Sequence, residues 1–349
     1  MSTPGINLQA NIPIPDLMNG EECWIIASIA AVRKGSTKQG KPYYDAIAQN
    51  STGRIAVKVW SDAIKLGGSF YPGLWVLKGR KSNYNDGHQF EISKYKPADI
   101  EQYRKHQGAE PPFPKAFTLD IETLPLPSFR ERVPYQLKKN FQTERMSPDQ
   151  RGRYLEDRSA EEIRAYKLGS LSAISGRILA IAVHIGPLPD FNLSEASSVE
   201  KVFGIDPDGK EQSEAEALTS FVDFIREFDK EADELVGHNI IQFDWPFILQ
   251  RCLVHQIEVP PLFDLSDYHV KGMFDTAHGW WGGSRRMVGL DDIAWAFGIP
   301  SSKTEEVDGS QVFHLYEAGR LTEIREYNLN DVRLTRKIYE RMINVMGRQ

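Results

Sequence analysis

The stretch Phe117-Thr118-Leu119-Asp120-Ile121-Glu122-Thr123 alternates apolar and polar side chains with a period of two, the pattern of a strand with two unlike faces. Successive side chains of a strand point to opposite sides, so Phe117, Leu119 and Ile121 serve one face while Asp120 and Glu122 project together from the other. Two carboxylates that close are costly unless a proton or a cation intervenes, and oxygen-only ligands favour hard cations such as Mg²⁺ or Mn²⁺. Taken alone, a solvated strand is the favoured reading, because an Asp-x-Glu pair arises about once by chance in a chain of this size and charge content.

Downstream of this strand the pattern alternates. Strands are expected at 177–185, 199–205 and 233–237, and helices at about 213–229 and 244–255, with a mostly helical end from Leu290. Such alternation predicts an α/β unit with a mixed sheet. A long charged insertion, roughly 125–170, separates the first two strands and is expected to be helical in part. Upstream, residues 96–115 are polar and contain several prolines, the composition of a linker. Before them, five short strand-like runs lie between Glu22 and Lys94, separated by turn signals at 34–42, 50–53 and 83–87, with a helical patch at 61–66 between the third and fourth. The expected organisation is an N-terminal extension (1–20), a small β-domain (21–95), a linker (96–115) and an α/β domain (116–349).

The bulk properties agree with two folded units. The chain has 349 residues, 41% hydrophobic and 26% charged, enough for two cores and unlike fibrous or low-complexity sequences. The longest apolar run, near Trp24 to Val32, is too short to span a bilayer, and no membrane association or secretory signal is expected. Two cysteines, Cys23 and Cys252, far apart and without zinc-ligand spacing, suit a reducing cytoplasm. Charge is divided unevenly: residues 1–115 hold 15 Lys+Arg against 10 Asp+Glu (+5), leaving 27 against 38 (−11) for residues 116–349. A basic front suits polyanions, and an acidic rear repels them or binds cations first.

Two further motifs follow the first strand. Gly237-His-Asn-Ile-Ile-Gln-Phe-Asp244-Trp-Pro246 places Asp244 at a helix start, where it could be no more than an N-cap. Tyr327-Asn-Leu-Asn-Asp331 places Tyr327 and Asp331 one turn apart on the last helix, a spacing that a solvated face also allows. In order and in context, Asp-x-Glu, Asn-x-x-x-Phe-Asp and Tyr-x-x-x-Asp resemble the DEDD exonuclease superfamily in its tyrosine subclass. The likeness is strongest to the exonuclease domain of family-B DNA polymerases and related bacterial proteins, over about residues 116–345. The stretches 171–183, 274–276 and 289–299 resemble further segments of that group. The other subclass carries a His five residues before the last Asp, where this chain has Glu326. Strand order and turns in 20–95 likewise resemble the oligonucleotide-binding (OB) fold.

The resemblance implies a ribonuclease-H-like α/β domain preceded by an OB barrel. It further implies a 3′-to-5′ exonuclease releasing nucleoside 5′-monophosphates from single-stranded nucleic acid with a free 3′ end. Asp120, Glu122, Asp244 and Asp331 would hold two Mg²⁺ or Mn²⁺ ions, with Asp120 bridging them and Asp244 serving the second directly or through water. Tyr327 would orient the attacking water, since a phenol with an ordinary pKa near 10 is a poor base at neutral pH. Thr123, Asn239 and Phe243 would lie against the metals or the terminal nucleotides. In the barrel, Arg33, Lys34, Lys38 and Lys41, next to Tyr43 and Tyr44, are candidates for phosphate contacts and base stacking, against a solvated loop with core tyrosines. Trp60 and Trp75 fit core or platform equally. His238 suits a role in satisfying loop backbone, and His278, Trp280 and Trp281 suit stacking or packing alike. The exonuclease likeness leans toward DNA. The alternatives are an exoribonuclease, whose barrels this one also resembles, and a non-catalytic single-strand-binding protein. No polymerase module is read in the sequence, so proofreading would need a replication or repair partner.

Overall fold

Between Glu22 and Pro97 every second residue of the strands turns to one side, and closing the strands on themselves buries that side in one core. The computed structural model describes residues 12–84, 87–109, 112, 114–133, 147–189, 198–229, 233–263, 270, 272–281, 288–301 and 311–346. Strands β1 (Glu22–Ser36), β2 (Pro42–Asn50), β3 (Gly53–Trp60), β4 (Gly73–Tyr84) and β5 (Gly87–Pro97) form a closed barrel in the order β1-β2-β3-β5-β4. Antiparallel pairs join β1 to β2 and β4, β2 to β3, and β4 to β5, while β3 and β5 pair in parallel. Ile25, Ala27 and Ile29 of β1 meet Val57 and Val59 of β3, Trp75 and Leu77 of β4, and Phe90 of β5 in one core. Helix α1 (Ser61–Gly67) sits between β3 and β4. Three strands, a helix and two strands closed in this order make an OB-type barrel. At the β4–β5 irregularity a Cβ on Gly79 would stand 2.2 Å from the Glu91 carbonyl oxygen, so the close approach there requires glycine.

The chain divides into two compact units at Lys115/Ala116, with short segments around Pro187 and Asp233 returning to the first. The polar segment 96–115, set aside above as a linker, contains among its described residues helix α2 (Ile100–Gln107). Asp99 caps it by accepting from Gln102 N, and the chain leaves through Gly108 at φ +65°. Tyr103 is fully buried among Ile26, Leu74 and Val76, and its hydroxyl accepts from Ser51 N at 2.9 Å. Among the described side chains of this polar helix Tyr103 alone is buried, too weak a period to stand out in sequence.

The second unit is built on β6 (Lys115–Pro125), β7 (Gly176–Pro187), β8 (Val199–Phe203), β9 (Glu234–Gly237) and β10 (Met273–Asp275), in the order β10-β9-β6-β7-β8. β6 pairs in parallel with β9 and β9 with β10, whereas β7 and β8 are antiparallel, so the sheet is mixed as expected. Phe117, Leu119 and Ile121 of β6 face a core completed by α4 (Glu214–Ile225) and α5 (Asp244–His255). The opposite face carries α9 (Leu321–Met346), whose Ile324 and Tyr327 pack with Leu124 and Leu179. The charged insertion yields α3 (Pro148–Leu168), opened by a capping box of Ser147 and Gln150; its residues 134–146 lie outside the described ones. Helices α6 (Thr276–Trp281), α7 (Leu290–Phe297) and α8 (Val312–Glu317) complete the described elements of the unit.

Helix α5 is fixed by a buried ion pair. Arg251 donates to Glu214 from Nε at 2.8 Å and Nη2 at 2.6 Å, and to the Ala173 carbonyl at 3.0 Å, while Ile178 N donates to Glu214 at 2.7 Å. With every partner satisfied, the pair locks α4, α5 and the start of β7 in one register. Because Tyr103 fastens α2 to the barrel, Tyr103→Ala is expected to destabilise the barrel's unfolding transition by about 3–5 kcal/mol in a urea titration. A change under about 0.5 kcal/mol would detach α2 from the barrel core.

Candidate active site

Strand geometry puts Asp120 and Glu122 on the side of β6 that faces α9. There, Asp331 reaches them: one carboxylate oxygen from each of Asp120, Glu122 and Asp331 lies within 4.8 Å of the others. Asp244 joins from the next element. It is the first residue of α5 and not its cap, which is Phe243. Its Oδ1 accepts from Ile121 N at 3.1 Å, between the two acids of β6. All four acids of the three motifs therefore belong to one neighbourhood.

The electrostatics follow from this crowding. Burial, and then the charges of Asp244, Asp331 and Glu122, push the Asp120 carboxyl well above the usual range. Burial with Asp331 and Asp244 does the same to Glu122. Asp244 is pushed up to about 7, chiefly by burial, against the opposing pull of the Ile121 N–H. Like charges this near cannot all ionise in a dry site unless a cation joins them. An all-oxygen set of three or four carboxylates fits Mg²⁺ or Mn²⁺ and not zinc, so the residues fit the expected ions. Tyr327 is buried, its hydroxyl bonded to Asp331, and burial with the surrounding carboxylates drives its pKa far above 10. It stays protonated and acts as a donor.

Two residues that the motifs did not single out hold this arrangement. Asn328, fully buried beside Tyr327, donates from Nδ2 to Asp120 Oδ2 at 2.7 Å. Asp275, at the end of β10, accepts from Asn239 N at 2.9 Å, Ile241 N at 3.3 Å and Ala277 N at 3.0 Å. It thereby anchors the loop that carries Asn239, whose φ of +60° is left-handed, and caps α6. Its only trace in sequence is the Phe-Asp-Thr at 274–276; Asn328 has none beyond its place next to the tyrosine.

The remaining expected residues are placed as follows. Thr123 is half-buried and donates to the Ser170 carbonyl at 2.9 Å. Phe243 is half-buried, its ring 5.6 Å from that of Phe247. His238 bonds Thr276 Oγ1 at 2.9 Å and the Val288 carbonyl at 2.8 Å, so it serves the loops. Trp280 packs edge-on to Phe297. Glu326 is exposed and paired with Arg333 at 2.6 Å.

On the barrel, Arg33, Lys34, Lys38 and Lys41 are all exposed, at the end of β1 and in the loop after it. The two tyrosines part company: Tyr44 packs against the core beside Phe70, while Tyr43 lies on the outer face. A Cβ on Gly35 would meet the Tyr43 ring at 2.4 Å, so the ring rests on the glycine. Lys58 Nζ sits 3.7 Å from its centroid, and Trp60, 39% exposed, stands edge-on to it at 5.8 Å. Trp75, 1% exposed, is core. Cys23 and Cys252 are free and buried, and no helix among the described residues is long and apolar enough to cross a membrane.

Residues 176–349 match the model of a family described as a predicted 3′-5′ exonuclease related to the exonuclease domain of PolB. The match starts after Asp120 and Glu122, which the geometry above joins to Asp331. No curated protein matches the chain. Among solved structures, the second OB-fold domain of replication protein A from Methanococcus maripaludis is 17% identical, over 26% of this chain and 96% of that one, with a TM-score of 0.22. The OB domain of a Thermoplasma acidophilum protein is 13% identical, over 26% of this chain and 87% of that one, with a TM-score of 0.21. The OB reading rests on the strand order and closure of the barrel.

A carboxyl whose folded pKa exceeds its unfolded value holds its proton more tightly in the native state, so native stability falls as pH rises through that window. For Asp244 the window runs from its ordinary 3.8 to about 7. In EDTA, Asp120→Asn is expected to melt above wild type by several degrees at pH 8, each kcal/mol of relieved repulsion raising Tm by about 2–4 °C. The difference should shrink toward pH 4, and Mn²⁺ should raise the wild-type Tm. Calorimetry across that range checks this; a variant that melts below wild type at pH 8 would contradict the crowding argument.

Proposed function

We propose that this chain, whose residues 176–349 belong to the family of predicted 3′-5′ exonucleases related to the PolB exonuclease domain, hydrolyses single-stranded nucleic acid from the 3′ end. DNA is the favoured substrate, nucleoside 5′-monophosphates are the products, and two Mg²⁺ or Mn²⁺ ions are required. The observation that carries this is the convergence of Asp120, Glu122 and Asp331 within 4.8 Å beside Asp244. Asp120, Glu122 and Asp331 would hold the ion of the nucleophile, with Asp120 shared by both sites and Asp244 on the second. When bound, the ions supply an activated water and neutralise charge on the leaving oxygen.

The chain's own residues do the rest. Tyr327 is a hydrogen-bond donor and not a base, because its pKa is pushed far from neutrality. Asn239 and Phe243, on the loop anchored by Asp275, are the residues for the terminal nucleotides, with Thr123 beside the carboxylates. The barrel grips the strand upstream of the cut through Arg33, Lys34, Lys38, Lys41 and Tyr43. The core position of Tyr44 speaks against a stacking role for it, whereas the exposure of Trp60 favours one. Two free cysteines favour a reducing compartment such as the cytoplasm.

The test is hydrolysis of 5′-labelled, 3′-tailed and blunt DNA and RNA with Mg²⁺, Mn²⁺ or EDTA. Laddering from the 3′ end of tailed DNA is expected with either metal and none with EDTA. Faster loss of RNA would move the substrate class to RNA, and no cleavage with any metal would leave a binding protein. Asp120→Asn and Asp331→Asn should each lower kcat by about a hundredfold or more, since each removes a metal ligand. Tyr327→Phe should cost less, because the ligand set stays whole; full activity in either Asp variant would sink the site.

The barrel's part is read from salt dependence. Replacing Arg33, Lys34, Lys38 and Lys41 with Ala should raise KM on long oligonucleotides and flatten the log–log salt slope by up to about 3, at roughly 0.7 per phosphate contact on a single strand. Rates at saturation and on very short oligonucleotides should change little. An equal loss at every length would mean the barrel stabilises the fold instead of holding substrate.

A further inference from the structure

Asn328 is wholly shielded from solvent, one residue after Tyr327 on α9. Its two amide atoms are treated unequally: Nδ2 donates to Asp120 Oδ2 at 2.7 Å, while Oδ1 has no hydrogen-bond partner among the described residues. A side chain kept only for packing would avoid that loss, since an apolar residue of similar size leaves nothing unpaired. When Asp120 is ionised, as a metal ligand must be, the orientation is set by charge, because turning the amide would aim Oδ1 at a carboxylate oxygen. The amide is thus committed to Asp120 at the expense of its own carbonyl.

We propose that Asn328 is a positioning residue for Asp120. By holding Oδ2 from the α9 side, it fixes the plane of the carboxylate so that Asp120 and Asp331 present their oxygens to one divalent cation. α9 then contributes at three successive levels of its inner face: the donor of Tyr327, the tether of Asn328 and the ligand of Asp331. Tyr327 and Asp331 lie one turn apart, and Asn328, three residues before Asp331, reaches Asp120 on β6. Partners that orient metal ligands typically change metal affinity by about 10- to 100-fold when removed. The inference rests on the metal-site reading above.

Asn328→Leu separates positioning from packing, because it replaces the unpaired amide with an apolar side chain of similar volume. Three quantities are measured: melting temperature in EDTA, Mn²⁺ affinity by titration calorimetry without nucleic acid, and kcat and KM on a 5′-labelled single-stranded oligonucleotide at fixed Mn²⁺. The expected result is a melting temperature equal to or above wild type, Mn²⁺ affinity weakened by about 10- to 100-fold, and kcat lowered tenfold or more, with KM within about twofold. Wild-type Mn²⁺ affinity and kcat would overturn the proposal. Should the leucine fail to fold, Asn328→Ser takes its place with the same expected losses in affinity and kcat, and wild-type values in it overturn the proposal equally. Asp120→Asn is the control: if it retains full activity, the site itself is misread, whereas an inactive Asp120→Asn beside an unimpaired Asn328→Leu removes this inference alone.

Discussion

Repulsion among buried carboxylates is the constraint around which the second unit is arranged. Asp120 and Glu122 cannot separate, because β6 fixes them two residues apart on one face and lies in the middle of the sheet. Asp331 cannot withdraw, because Ile324, Tyr327 and Val332 hold α9 against β6 and its neighbours. The apolar packing of a 26-residue helix is thus set against three charges at its centre. Such a site is stable without ions only by keeping protons on, which the upward-shifted pKa values of Asp120, Glu122 and Asp244 express. Cation binding and folding are then linked, since whatever neutralises the cluster also stabilises the fold around it.

The fourth acid enters through a backbone accounting problem. β9 pairs with β6 only at Ala116 to Thr118 and then turns away into the loop 238–243. The amide of Ile121 lies beyond that ladder in a buried part of the strand, and an unpaired buried N–H is expensive. Asp244 answers it with Oδ1 and so places its charge between Asp120 and Glu122. The loop must double back to do this, with Asn239 left-handed, and Asp275 takes up the amide groups that the turn leaves over. Satisfying the end of one short parallel ladder therefore draws the second motif into the site.

What was legible in the sequence follows the range of the interaction involved. β6 is legible from its period of two, the α/β unit from alternating strand and helix stretches, and the barrel from turns spaced between short strand-like runs, all of them local signals. The carboxylates were legible because three motifs in the right order narrow each other's meaning. The three residues of β10, the helix α2 and the roles of Asp275 and Asn328 were not, because each depends on a partner far along the chain. Asn328 and Asp120 are 208 residues apart, and Tyr103 and Ser51 are 52 apart. The split between Tyr43 and Tyr44 is intermediate: adjacent strand residues must face opposite ways, but which of them faces the core is decided by Phe70 and Gly35.

The division of charge along the chain bears on why the two units share one polypeptide. An acidic unit of −11 repels nucleic acid at long range, and ions bound as proposed would offset that only over about one Debye length, roughly 8 Å at physiological salt. On the proposed reading, a basic barrel on the same chain would turn capture of the 3′ end from a bimolecular encounter into an intramolecular one, raising its effective concentration. Neither function then compromises the other. The cluster would keep the crowded anions that the proposed ions need, and the proposed grip on phosphates would fall to exposed side chains that disturb no buried group: Arg33, Lys34, Lys38 and Lys41 carry no share of the barrel core. On the proposed reading, affinity for long strands and turnover are set by different residues, and each can be altered while the other is held.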